Sequence, residues 1–198
     1  MKKLILLIIT AICLSNCASF STKIIKEQIT KLDRENIQNI EGSYALSCYD
    51  AHYLSTSKKR KVAQYENHID VATVNSFTNT IIPRRGTDTN YTVDIKLLSD
   101  TEIQFTYRSE NAIVNQTTLS MKLRKNGMIH LKNRETSTKG VPMIFGNISV
   151  ERSRIGIRKN RDLILNNVEF IAGGFLILFG DGRRSNTTFY FKRIITPS

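Results

Sequence analysis

From Tyr91 onward, apolar residues fall on every second position in one short run after another, and a turn follows each run. Tyr91, Val93, Ile95 and Leu97 alternate with Thr92, Asp94 and Lys96. Ser99-Asp100 turns the chain, and Ile103, Phe105 and Tyr107 then alternate with Glu102, Gln104 and Thr106. A period of two marks a half-buried strand, so this segment is a hairpin. Leu119, Met121 and Leu123 carry the pattern into Asn126-Gly127, and Ile129 and Leu131 return from it. Asn-Gly suits a type I′ turn, whose two central residues need positive φ. A chain written this way pairs neighbouring strands antiparallel and must hide the edges of the resulting sheet.

The rest of the chain extends the pattern. Tyr44, Leu46 and Cys48 alternate after Gly42. Residues 52–63 read as a polar, basic loop, and 64–82 fit either helix or strand, with helix preferred. Residues 133–148 read as a long connection holding Pro142. Arg152–Ile157 and Leu163–Leu165 form a pair around Lys159-Asn160. Phe175–Phe179 is a continuous apolar run, as in a strand buried on both faces, with Gly180-Asp181-Gly182 as its turn. Thr187–Ile195 closes the chain with Phe189, Phe191 and Ile195 on one face. Before all this, Ile25, Ile29 and Leu32, then Ile37 and Ile40, predict one or two short N-terminal helices. The expected class is mainly β: an antiparallel meander of about eight or nine strands closing into a barrel, with a sandwich as the alternative.

The first residues have a different logic. Lys2 and Lys3 precede an apolar run of 11 residues, Leu4–Leu14, interrupted by Thr10. As a helix it would span about 16 Å against a hydrocarbon core of about 30 Å, which fits a signal-peptide core and not an anchor. Leu14-Ser15-Asn16-Cys17 follows and resembles the lipobox of bacterial lipoproteins. The resemblance implies that the Cys17 thiol receives a diacylglyceryl group and that the peptide is cut just before it. The new amine is then open to acylation, commonly as palmitate. Asn16 replaces the usual Gly, Ala or Ser, and an ordinary secretory signal is the competing reading. The organisation expected is residues 1–16 as signal peptide, 17–23 as lipidated tether and 24–198 as one domain. Ala18, where an Asp would signal inner-membrane retention, makes the outer membrane the implied destination.

With Cys13 removed and Cys17 lipidated, Cys48 has no partner for an intrachain disulfide. It is expected to be buried as a small hydrophobe. A reactive thiol would need a base, and His52 is the nearest candidate.

Glu41-Gly42-Ser43-Tyr44 at the entry to the first long strand resembles the Gly-x-Trp/Tyr opening of lipocalin-like barrels. In that family the Gly permits a tight entry, and the aromatic plugs the barrel floor. A late-strand Arg often lies over the aromatic, and Arg193 in Phe189-Tyr190-Phe191-Lys192-Arg193 matches that place. The resemblance covers about residues 37–195. Tyr44 stands in for the usual Trp, because the chain has no Trp.

Signatures of chemistry are missing from the sequence: G-x-S-x-G, H-E-x-x-H, C-x-x-C and the P-loop. His52, His68 and His130 are scattered without ligand spacing. No cofactor, metal or catalytic residue is therefore expected. The net charge is +12. Its clusters are Lys58–Lys61, Arg84-Arg85, Lys122 with Arg124 and Lys125, Arg152 to Arg161, and Arg183-Arg184. An exported basic protein points to anionic headgroups rather than nucleic acid, and an ordinary solvated surface is the plainer alternative. The expected role is a non-catalytic structural or interaction module of the cell envelope, held to the membrane through Cys17. The alternative is a carrier of a small apolar ligand or lipid.

Overall fold

The computed structural model describes residues 20, 25–55, 91–110, 112–132, 135–141, 145–175 and 179–194. The signal segment, Cys17, most of the tether, the Lys58–Lys61 and Arg84-Arg85 clusters, His68 and the 64–82 stretch lie outside the described residues.

The alternating runs become strands, and the strands form one antiparallel sheet. They are β1 (Ile29–Thr30), β2 (Gly42–Ser55), β3 (Tyr91–Ser99), β4 (Glu102–Ser109), β5 (Ala112–Leu123) and β6 (Ile129–Leu131). After these come β7 (Glu135–Val141), β8 (Phe145–Arg158), β9 (Leu163–Phe175) and β10 (Phe179–Ile194). The order β8-β6-β5-β4-β3-β2-β10-β9 closes on itself through the β8–β9 pairing. β1 and β7 pair with β8 outside that ring. The expected meander holds from β2 to β6 and again from β8 to β10. It breaks once, where β6 and β7 pair with successive parts of β8: Ile129 faces Ile155, and Glu135 faces Glu151.

Residues 52–55, expected to open a loop, continue β2 against β10 from Thr188↔His52 to Ser185↔Ser55, and four further local expectations are corrected. Neither N-terminal stretch is an α-helix. Residues 25–28 form a single turn, closed by the Ile29 N–H on the Ile25 carbonyl at 3.0 Å, and Ile37–Ile40 is one turn of 3₁₀ helix. The reason lies between them: Asp33 Oδ1 accepts from the Glu35 and Asn36 N–H groups, and Asn36 Oδ1 accepts from the Asp33 N–H. Such side-chain bonds offer the backbone an alternative to helix, and neither stretch is long enough to offset nucleation. Residues 133–148 are not a plain connection, because β7 and the start of β8 pair across them from Glu135↔Glu151 to Val141↔Phe145. Phe175–Phe179 is not one strand. Phe175 pairs with Phe179 across the β9–β10 turn, and Gly180-Asp181-Gly182 lie inside β10.

The fourth correction is the turn after β5. Gly127 has φ +77°, but Asn126 does not share the positive φ that a type I′ turn requires. Instead the Gly127 N–H bonds to the Arg124 carbonyl at 2.9 Å, and the Arg124 N–H to the Met128 carbonyl at 3.0 Å. This is a turn followed by a one-residue bulge with Gly in the left-handed position. Glycine is needed here for a second reason: a Cβ would lie 2.7 Å from Lys31 Cα, where the N-terminal segment crosses the turn.

The core lies inside the ring. Tyr44, Leu46, Val93, Ile95, Ile103, Phe105, Tyr107, Met121, Ile129, Ile155, Leu165 and Phe191 form one buried cluster. Part of the outer face of β8–β10 is buried as well, because the N-terminal segment packs on it. Ile25 joins Met128, Ile164 and Tyr190 there, and Phe20 and Phe170 pack against the cluster of Val150 and Val168.

Candidate functional site

The expected floor residues do meet. Gly42 opens β2 at φ +140°, a backbone conformation that L side chains rarely adopt. It lets the Arg193 guanidinium, from the far end of β10, lie against the strand entry. A Cβ on Gly42 would sit 2.7 Å from Arg193 Nη2. Arg193 lies 5.6 Å from the centre of the Tyr44 ring and donates to the Asn39 carbonyl at 2.9 Å and to the Glu41 carbonyl. Tyr44 is fully buried and donates to the Ile40 carbonyl at 2.8 Å. Burial pushes its hydroxyl up to about 12, against the opposing pull of Arg193. The 3₁₀ turn is thus tied to both residues, and Ile40 and Leu32 complete the cover. Strand register produces the meeting: Arg193 pairs directly with Tyr44.

Asp162 braces the same end from the β8–β9 turn. Its carboxylate accepts from Tyr49 Oη at 2.7 Å, Asn160 Nδ2 at 2.7 Å and the Arg193 N–H at 3.1 Å. Burial pushes its pKa up, but these hydrogen bonds and the charge of Lys192 outweigh burial and hold it below its usual value.

Above the floor the inner face changes character rung by rung. Cross-strand partners share a face. Ile157, Leu163 and Phe191 make one inner rung, and Ile155, Leu165 and Phe189 make the next. Ser153, Asn167 and Thr187 follow, then Glu151, Glu169 and Ser185. On the opposite wall Phe105 pairs with Thr117 and Tyr107 with Asn115. Phe105 and Tyr107 fill the lower ring with no exposed surface, while Asn115, Thr117, Asn167, Glu169, Thr187 and Ser185 are half-buried. Along the inner face, fully buried apolar residues therefore give way to half-buried polar ones.

Cys48 packs with the inner cluster and donates to the Asp50 carbonyl at 2.8 Å. Burial pushes its thiol up. His52 belongs to the other face: it packs edge-on against Tyr190 at 5.7 Å, and Tyr190 belongs to the outer cluster. The bulge between the Phe191↔Cys48 and Tyr190↔Asp50 pairs puts the two on opposite faces, so they form no thiol–imidazole pair. Among the described residues no three His, Cys, Asp or Glu side chains converge as metal ligands.

The outer face of β8–β10 carries a feature the sequence reading missed. Arg154, Asn166, Asn186 and Thr188 are buried side by side. Asn166 Oδ1 accepts from Arg154 Nε at 2.8 Å, and Asn166 Nδ2 donates to Asn186 Oδ1 at 2.7 Å and Thr188 Oγ1 at 2.9 Å. Arg154 lies 4.5 Å over the Phe20 ring, and burial lowers its pKa to about 10, so it keeps its charge at neutral pH. In sequence these polar residues alternate with apolar ones and read as an ordinary solvent face.

No protein-family model matches the chain, and no curated protein does. Among solved structures a variant of the fluorescent protein UnaG aligns over 81% of this chain and 99% of that one, at 8% identity and a TM-score of 0.27. A likeness of that size carries no argument for fold or ligand.

Proposed function

We propose that this chain is a lipid-anchored lipoprotein of the cell envelope, in the outer membrane, whose lipocalin-like barrel acts as a non-catalytic interaction module at the membrane surface. The observation that carries the reading is the docking of the N-terminal segment. Ile25 is 2% exposed against β9 and β10, and Phe20 lies under Arg154. Phe20 is three residues from Cys17, so acyl groups on Cys17 would hold the domain itself close to the bilayer, not a remote end of a free tether. Two or more acyl chains give stable anchoring where one does not. The test is metabolic labelling with a fatty-acid analogue in the native host, followed by fractionation. The protein should carry label and sediment with membranes, and Cys17→Ser should carry none. An unlabelled protein overturns the reading.

A second reading, the carrier of a small apolar ligand or lipid, is favoured by the half-buried polar rungs above the apolar floor. Native mass spectrometry of the processed protein from its own host tests it, since a copurifying amphiphile is its direct expectation.

A further inference from the structure

The positive charge of the chain is gathered on one wall of the ring. Cross-strand partners share a face, and the pairs Lys122↔His130 and His130↔Arg154 put these three residues on one rung of β5, β6 and β8. That face is the outer one, because Met121, Ile129 and Ile155 beside them lie in the inner core. Arg152 lies two residues from Arg154 on β8, and Lys132 and Arg124 lie two residues past His130 and Lys122. Lys122, Arg124 and Lys132 are exposed, and Arg152 is half-buried. β5 and β6 hold no Asp or Glu, and Glu151 of β8 belongs to the inner face. Among the described residues none of these four cations has an ion pair. The next wall differs. The outward positions of β3 and β4 carry Asp94 and Glu102 against Lys96 and Arg108, and Asp94 pairs with Arg108 at 2.6 Å.

His130 registers how closely the cations crowd. Burial, and then the charges of Arg154, Arg124 and Arg152, lower its pKa to about 4. Like charges held together without carboxylates match a partner that brings negative charge. The N-terminal segment reaches the same wall. Phe20 lies 4.5 Å from the Arg154 guanidinium and packs edge-on to His130 at 4.9 Å. Cys17 is three residues before Phe20, a reach of at most about 10 Å. The two strand spacings from β8 across β6 to β5 also come to about 10 Å. Acyl groups on Cys17 would therefore enter a bilayer beside these cations, within about one Debye length of its headgroups.

We propose that the outer wall of β5, β6 and β8, with Lys122, Arg124, Lys132 and Arg152 around His130, rests on the anionic phospholipid headgroups of the leaflet that holds the acyl groups on Cys17. The β3–β4 wall, with Lys96, then faces away from the bilayer. The anchor rests on the lipoprotein reading, and the charged wall stands without it.

The test uses the lysines as reporters. Processed protein from the native host is floated with phosphatidylethanolamine–phosphatidylglycerol vesicles and with phosphatidylcholine vesicles. An amine-reactive reagent then modifies accessible lysines, and peptide mass spectrometry reads each site. Labelling of Lys122 and Lys132 should be at least about threefold lower on the phosphatidylglycerol vesicles, since each basic residue near an anionic leaflet raises the attraction several-fold. Lys96 should be labelled equally on both, and high salt should restore Lys122 and Lys132. A protein that floats with both vesicles and shows no such difference overturns the wall contact and leaves the lipoprotein reading standing. One that floats only with phosphatidylglycerol, with Lys122 and Lys132 protected, overturns the anchor and keeps the wall. One that floats with neither overturns both. Equal protection of Lys96 overturns the stated orientation. Equal protection of Lys122 and Lys132 by a DNA duplex in place of vesicles makes the wall a general polyanion site and overturns its assignment to lipid.

Discussion

The guanidinium of Arg193 occupies the space that a side chain on Gly42 would need. Nη2 lies 2.7 Å from an ideal Cβ there, and the backbone at Gly42 sits at φ +140°. Gly42→Ala meets both penalties: strained backbone and a displaced cation whose hydrogen bonds hold the Asn39 and Glu41 carbonyls. The expected loss is about 3 kcal/mol of unfolding free energy, read from urea denaturation. Arg193→Ala should cost about as much alone, and the double substitution should cost less than the sum, because each removes the same contact. Strict additivity would mean that the two residues do not share an interaction.

Asn166 connects Arg154 to Asn186 and Thr188 beneath the N-terminal segment. Its amide uses its oxygen for the cation and its nitrogen for the two neighbours, so no apolar residue can replace it without stranding polar groups. Asn166→Leu should cost about 3 kcal/mol, above the usual effect of an Asn substitution on a sheet surface. The check is thermal denaturation beside Asn167→Leu, the half-buried neighbour on the inner face. The outer-face substitution should lower the melting temperature more. Equal shifts would mean that the outer network adds nothing.

The pattern of what could be read from sequence follows from which signals are local. β3, β4 and the end of β5 were legible because one face is buried and the period of two survives intact. Gly42, Tyr44 and Arg193 were legible as a set only through a family resemblance, since register alone brings residues 149 positions apart together. The β9–β10 turn was not legible. Phe175–Phe179 has no breaker inside it, and the Gly180-Asp181-Gly182 that looks like one is paired with Ala172–Gly174 of β9. Ile25 and Ile29 have helical spacing, yet they meet the wall as a turn and a strand, because Asp33 and Asn36 capture the backbone after them. Arg154 and Asn166 alternate like solvent residues, and nothing local announces that another segment covers them.

His130 should make stability fall in mild acid. Burial, then the charges of Arg154, Arg124 and Arg152, lower its pKa from 6.5 to about 4, and its Nε2 is buried without a hydrogen-bond partner. Its ring packs edge-on to Phe20 at 4.9 Å. A lowered folded pKa means that the unfolded chain binds the extra proton first. This contribution is therefore present above pH 6.5, is lost as pH falls toward 4, and changes little below that. The measurement is unfolding free energy against pH for the wild type and His130→Phe. The variant should lose the slope between pH 6.5 and 4. An unchanged slope would assign the acid sensitivity elsewhere.

Arg161 and Gly127 hold the same place in two turns of the same build. The Arg161 N–H bonds to the Arg158 carbonyl at 2.9 Å, and the Arg158 N–H to the Asp162 carbonyl at 2.8 Å, as Gly127 and Arg124 do after β5. Both residues sit at positive φ, +68° for Arg161 and +77° for Gly127. Glycine adopts that conformation freely, and an L side chain strains there by about 1–2 kcal/mol. The Arg161 side chain is exposed, so its removal uncovers no core. Arg161→Gly should therefore stabilise the protein by about 1 kcal/mol after the entropy that glycine returns to the unfolded chain. Gly127→Ala should do the opposite, and by more, because its Cβ would lie 2.5 Å from Lys31 Cγ as well as in strained backbone. Denaturation midpoints of the two variants moving in opposite directions would establish the shared geometry. A destabilised Arg161→Gly would mean that the arginine makes a contact worth more than its strain.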